Sequence, residues 1–195
     1  MKRLTLTITG VLFLLASASA ESKLFLSVGA NLIRPADEAY RSIYGGQVLY
    51  PELAVAFRMA RGFCLTGSVG EFAKDGTTPV LGLETQAKQS YLTLGIGYLH
   101  RISGGICVEA GAGGAILKFR EDALDTWVEG HKVGLMAEGG VFYVPEDGQI
   151  FLGLKLGFLS ASVNDIASDV AGSQQVQLGG FRISVSAGIQ LFGDR

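Results

Sequence analysis

Six charged residues are the strongest candidates for acting together. Glu52, Arg58, Glu109, Glu138, Lys155 and Arg182 all lie in stretches where apolar residues alternate with small or polar ones. Successive side chains of an extended strand point to opposite faces, so all six fall on the face opposite the Leu, Val and Ile residues. A buried charge without a partner costs several kcal/mol. Three acids and three bases on one inner face therefore call for ion pairs. Glu138 and Lys155 stand at nearly equal distance from a turn around 147, which makes them near cross-strand neighbours. Such a set can do one of two things. It can fill and rigidify an interior, or it can line a narrow ion path.

Other chemistries find less support. His100 and His131 are the only histidines, and neither has a second ligand at metal-binding spacing. Ser103 follows His100 by three residues but has no acid partner for a hydrolase arrangement. The run Gly111-Ala112-Gly113-Gly114 lies within a strand pattern, not at a strand-to-helix turn, so it is no dinucleotide fingerprint. Cys64 and Cys107 fall on non-neighbouring strands. Strands two apart lie about 9–10 Å from each other, beyond the roughly 7 Å a disulfide spans, so buried free thiols are expected. No cofactor, metal or enzymatic activity is expected.

The elements that carry these residues are strands. The clearest is the last, where Phe181, Ile183, Val185, Ala187, Ile189 and Leu191 alternate with Arg182, Ser184, Ser186, Gly188 and Gln190. Period-two alternation marks a strand with one apolar and one polar face. The same pattern recurs seven times before it, from about Lys23, Gln47, Phe63, Gln89, Ile106, His131 and Ile150. In the fifth strand the apolar register shifts to Leu117 and Phe119 after Gly113-Gly114, which suggests a bulge. Short turns around 61, 104 and 147 alternate with long polar connections at about 35–46, 73–88, 120–130 and 162–175. All short turns therefore share one end, as in an up-and-down barrel of eight antiparallel strands.

Composition decides which face meets what. The chain is 48% hydrophobic and only 17% charged, against roughly 25–35% charged on a soluble surface. The polar face is mostly Gly, Ala, Ser and Thr, a poor water-facing surface but suited to a narrow lumen, which eight strands leave with room only for packed side chains or one small ligand. The other face is Leu, Val, Ile and Phe on every strand, suited to hydrocarbon. Phe57, Phe63, Tyr98 and Tyr143 fall on it near the short turns, where an interfacial girdle belongs. The expected fold is thus an eight-stranded antiparallel transmembrane β-barrel.

Residues 1–20 have the form of a cleavable secretory signal peptide: Lys2 and Arg3, then Leu4 to Leu15, then Ala18-Ser19-Ala20. The barrel domain would be 21–195. Loss of Lys2 and Arg3 takes the net charge from -2 to -4, which gives nucleic-acid binding no support. Tyr40, Tyr44, Tyr91 and Trp127 are candidate contact residues for an extracellular ligand held by the long loops.

The strand pattern, loop alternation, charged lumen and terminal amphipathic strand of residues 23–192 resemble the small outer-membrane β-barrel superfamily: the OmpA membrane domain, OmpX and the opacity proteins. That resemblance implies outer-membrane lipid as environment in a Gram-negative-type bacterium. It also implies a C-terminal strand read by the barrel-assembly machinery, although Phe192 is followed by Gly193-Asp194-Arg195. The expected role is non-enzymatic, structural or adhesive. A narrow pore, a lipid-modifying barrel enzyme and a soluble periplasmic lipocalin-like binder are the alternatives.

Overall fold

The computed structural model describes residues 23–79, 82–123, 126–145, 148–163, 167–168 and 176–191. The expected leader, the chain end from Phe192 onward and most of the 162–175 connection lie outside the described residues. Eight long strands follow one another: β1 (Lys23–Pro35), β2 (Val48–Arg58), β3 (Phe63–Thr77), β4 (Glu84–Ser103), β5 (Ile106–Ala123), β6 (Thr126–Tyr143), β7 (Ile150–Val163) and β8 (Val176–Leu191). Each pairs antiparallel with the next, and β8 pairs with β1 from Leu24↔Leu191 to Pro35↔Gly180. The sheet closes on itself, which removes the exposed edges of an open sheet. A two-residue segment, Ala167–Ser168, adds to β6 at Val128 and Glu129.

Period-two alternation sets the two faces. Outward are Leu94 and Val133, 64% and 73% exposed, with Leu53, Leu152, Val185 and their equivalents on every strand. These residues would be core in a water-soluble barrel. Here they form the outer belt, and Phe63, Tyr98 and Tyr143 stand on it at the short-turn end, with the Phe63 and Tyr98 rings 5.4 Å apart edge to face. An apolar exterior of this kind suits hydrocarbon and excludes a soluble lipocalin-like arrangement, in which the apolar face turns inward. Among the described residues no helix is long and apolar enough to cross a membrane; the crossing is made by strands.

The short turns around 61 and 104 are tight. Arg61 and Gly62 both adopt positive φ (61° and 85°), as do Gly104 and Gly105 (53° and 84°). Two consecutive left-handed residues give the hairpin geometry that matches strand twist.

At the other end three expectations are corrected. No bulge interrupts β5 at Gly113-Gly114: pairing to β4 and β6 runs through both residues without a shift. Leu117 and Phe119 point inward in unbroken register, because the lumen itself turns apolar toward that end. The stretches at 73–88 and 120–130 are not long loops but strand extensions, paired up to Thr77↔Glu84 and Ala123↔Thr126. The 35–46 stretch contains a short helix, α1 (Glu38–Tyr44), capped by the Asp37 side chain, which accepts from the Tyr40 amide at 2.9 Å, and ended by Gly45 at φ 90°. Above Glu52, β2 pairs only with β1, and Pro51 marks the point where it leaves β3. There α1 packs against β3: a Cβ on Gly76 would lie 2.6 Å from the Ile43 carbonyl.

Candidate functional site

The lumen is filled in three layers. At the short-turn end Phe25, Cys64, Leu99, Cys107, Phe142, Val144 and Phe151 make an apolar floor. Phe25 and Phe151 meet edge to face at 5.5 Å. Cys64 and Cys107 are both buried and unbridged.

The middle layer is a belt of charge. Arg182, 1% exposed, donates through Nη1 to Glu52 Oε2 and through Nη2 to Glu138 Oε2 at 2.7 Å. Tyr91 Oη donates to Glu52 Oε2 at 2.7 Å, and its ring lies 5.6 Å from the Arg182 guanidinium. Lys155 Nζ stands 3.5 Å from Glu138 Oε1. A guanidinium with two carboxylates uses its planar fork well, and the second acid leaves no donor face uncompensated. Glycines make these reaches possible. Arg182 crosses over Gly157 to meet Glu138, and a Cβ on Gly157 would lie 2.9 Å from Arg182 Nε. Tyr91 crosses over Gly70 to meet Glu52, and a Cβ there would lie 2.5 Å from Tyr91 Oη. The small inner residues of the sequence pattern are thus the space into which the long ones lie.

The structure brings four of the six charged candidates, Glu52, Glu138, Lys155 and Arg182, into one network. Glu109 faces Lys155 from the other side of Gly140. With Lys155, Glu138, Thr66, Ser68 and Thr93 it lines a cavity of about 50 Å³. That is room for a few waters. Arg58 lies apart, half-buried at the short-turn rim opposite Cys64. Tyr91 is the member the charge count missed: it was a loop-contact candidate, yet its inward register on β4 already placed it beside Thr93.

The third layer, at the loop end, is an apolar plug of Ile33, Tyr50, Phe72, Leu117, Phe119, Met136, Leu159 and Leu178, closed over by Tyr40 and Tyr44 of α1. Tyr50 packs against Phe72 at 5.2 Å and Tyr91 at 5.7 Å. Tyr40 and Tyr44 were expected as exposed ligand contacts; both are buried, with rings 4.6 Å apart. The amphipathic turn of α1 explains the reversal, since its apolar side has the barrel mouth beneath it. Tyr44 Oη donates to Glu121 Oε1 at 2.7 Å and shares a hydrogen bond with Thr85 Oγ1 at 2.8 Å. Burial, reinforced by the Glu121 charge, pushes the Tyr40 phenol up to about 12 and raises that of Tyr44 as well. Trp127 stays on the outer face, half-buried, with the Arg120 guanidinium 5.9 Å from its ring.

No protein-family model matches the chain, and no curated protein matches it in sequence. Solved structures do. OprG of Pseudomonas aeruginosa superposes with a TM-score of 0.69 at 12% identity, over 90% of this chain and 99% of that one. The chain has the fold of the small outer-membrane barrels. Neisserial surface protein A matches at 0.57 and 13% identity, over 90% and 98%. The attachment invasion locus protein Ail of Yersinia pestis, solved with the heparin analogue sucrose octasulfate, matches at 0.55 and 13%, over 88% and 99%. This fold and the apolar outer belt together support an outer-membrane location and contact with membrane lipid.

Proposed function

We propose that this protein is a non-enzymatic, integral outer-membrane β-barrel with a structural or binding role, carried at its loop end. The observation that carries this reading is the filled lumen: among the described residues, apolar floor, paired charge belt and tyrosine-capped plug succeed one another, with a cavity of about 50 Å³ beside Glu109 and Lys155. Such a lumen supports a rigid scaffold rather than a transport path. Assembly would proceed through the C-terminal strand β8 and the barrel-insertion machinery, and any extracellular partner would meet the β3–β4 and β5–β6 hairpins that rise above the belt.

The test has two arms. Detergent-extracted protein should migrate faster on gels unheated than boiled, the behaviour of a folded barrel, and should give no steady conductance in planar bilayers. Recovery in the soluble periplasmic fraction without detergent would overturn the membrane reading. Stepwise single-channel currents would replace the scaffold by a pore.

A further inference from the structure

The charges at the centre of the lumen do not balance. Glu52, Glu109 and Glu138 face Lys155 and Arg182, while the third base, Arg58, stands apart at the short-turn rim. Glu109 is the acid left over. Lys155 lies across Gly140 from it but gives its ammonium to Glu138, at 3.5 Å. The Glu109 carboxylate turns the other way, onto β4. A Cβ on Gly97 would lie 3.2 Å from Glu109 Oε1 and 3.7 Å from the Thr66 methyl carbon, and one on Gly95 would lie 3.2 Å from Thr66 Oγ1. Glu109 and Thr66 thus come together over two glycines. Thr66 is only 9% exposed and lines the same cavity. Among the described residues neither the Glu109 carboxylate nor the Thr66 hydroxyl forms a hydrogen bond or an ion pair. The hydroxyls beside them are committed, Ser68 and Thr93 to each other at 2.8 Å. A carboxylate and a hydroxyl, both without partners, therefore open on one cavity of about 50 Å³.

We propose that this cavity binds a small monovalent cation, with Glu109 and Thr66 as its protein ligands and water completing its shell. A carboxylate inside a barrel is costly without a counter-charge, and one positive charge cancels the excess of three acids over two bases. The space fits: a polar cavity of this size holds a few waters, hence a sodium or potassium ion with part of its hydration, but not a quaternary ammonium such as choline. Phe25, Phe142 and Phe151 close the cavity below. Above it, Arg182 bars the way to the loop end by like charge. The ion is therefore held as part of the scaffold rather than passed through it.

The test uses the full-length barrel in detergent, unfolded chemically in sodium, potassium or choline chloride at one pH and matched ionic strength, so that screening is the same in all three. At a cation concentration about ten times the dissociation constant, the folded-to-unfolded ratio in sodium or potassium should exceed that in choline about tenfold. Glu109→Gln, which removes the charge and keeps the shape, should abolish that difference, and Thr66→Val should reduce it. Glu71→Gln, an exposed acid on the outer face, should leave it intact. Equal midpoints of the wild type in all three salts overturn the proposal. So does a cation dependence that survives Glu109→Gln, which would put the ion elsewhere. A midpoint that follows pH but not the cation would make a proton the counter-charge and overturn it too. Should Glu109→Gln fail to fold, wild-type crystals soaked in thallous acetate decide: an anomalous peak between Glu109 and Thr66 supports the site, and its absence overturns it. The ion site rests on the filled-lumen reading, whose own failure shows separately, as stepwise single-channel currents from the wild type.

Discussion

The charge belt and the tyrosine cap close the same lumen by opposite means. The belt joins residues from β2, β4, β6, β7 and β8 through ion pairs and hydrogen bonds, and its central guanidinium is buried with two carboxylates. The cap is a short helix whose aromatic side chains rest on an apolar plug and are held through Tyr44 by hydrogen bonds to Glu121 and Thr85. A buried ionic network tolerates no missing member, because each loss strands a charge in low dielectric. An aromatic cap loses stability by degrees, in proportion to the surface it uncovers. The same barrel thus has a middle that fails abruptly and an end that loosens.

The sharpest break of that contrast is at Arg182. Arg182→Ala leaves Glu52 and Glu138 facing each other without their shared cation, and should cost about 3–5 kcal/mol. Chemical unfolding of the barrel in detergent reads this as a large drop in midpoint. Removing an acid with the base, as in Glu52→Gln with Arg182→Met, should recover part of the loss. If the double variant is no more stable than Arg182→Ala, the belt is not held by charge pairing.

A smaller step compares two lysine–glutamate pairs. Lys155 and Glu138 lie inside, Lys88 and Glu71 outside, with 52% and 56% of those outer side chains exposed. Lys155→Ala should cost about 1–3 kcal/mol, since Glu138 keeps Arg182 but Glu109 loses the cation that faces it across Gly140. Lys88→Ala should change stability by about 0–1 kcal/mol, as exposed pairs do. Equal midpoints for the two variants would erase the distinction between inner and outer charge.

How much of this was legible in the sequence follows the same division. Alternation assigned a face to every strand residue, so Glu52, Glu138, Lys155 and Arg182 could be placed in the lumen from their own strands. Nearly equal distance from a short turn pairs Glu138 with Lys155, whereas for Arg182 the sequence points to Glu52 or another acid without fixing which. Arg182 reaches Glu52 and Glu138 because closure of β8 on β1 sets the stagger of distant strands, a property no local pattern contains. The cap was missed for a different reason. Asp37, with Glu38 in the first turn, is a helix start, but a stretch of seven residues between strands carries too little periodicity to show what it covers. Leu117 and Phe119 mimic a register slip in the sequence because the lumen turns from polar to apolar toward the loop end, a change that alternation alone does not signal.

The gentlest probe acts on the cap alone. An unfolded tyrosine titrates near pH 10, whereas burial holds Tyr40 to about 12 and also raises Tyr44. A phenol whose folded value is raised contributes stability that is full below the unfolded value and is lost as pH rises through the folded one. Between about pH 10 and 12 the cap should therefore loosen while the barrel persists. Proteolysis within 35–46 should rise over that window, and heat-modifiable migration should not change. Tyr44→Phe should bring a milder form of the same loosening at neutral pH, about 1 kcal/mol for the lost bond to Glu121. It should also leave Tyr40 as the one phenol of α1 titrating late. If alkaline pH unfolds cap and barrel together, the two regions form a single cooperative unit, and the plug beneath α1 must be coupled to the belt through Tyr50 and Tyr91, whose rings meet between the two layers.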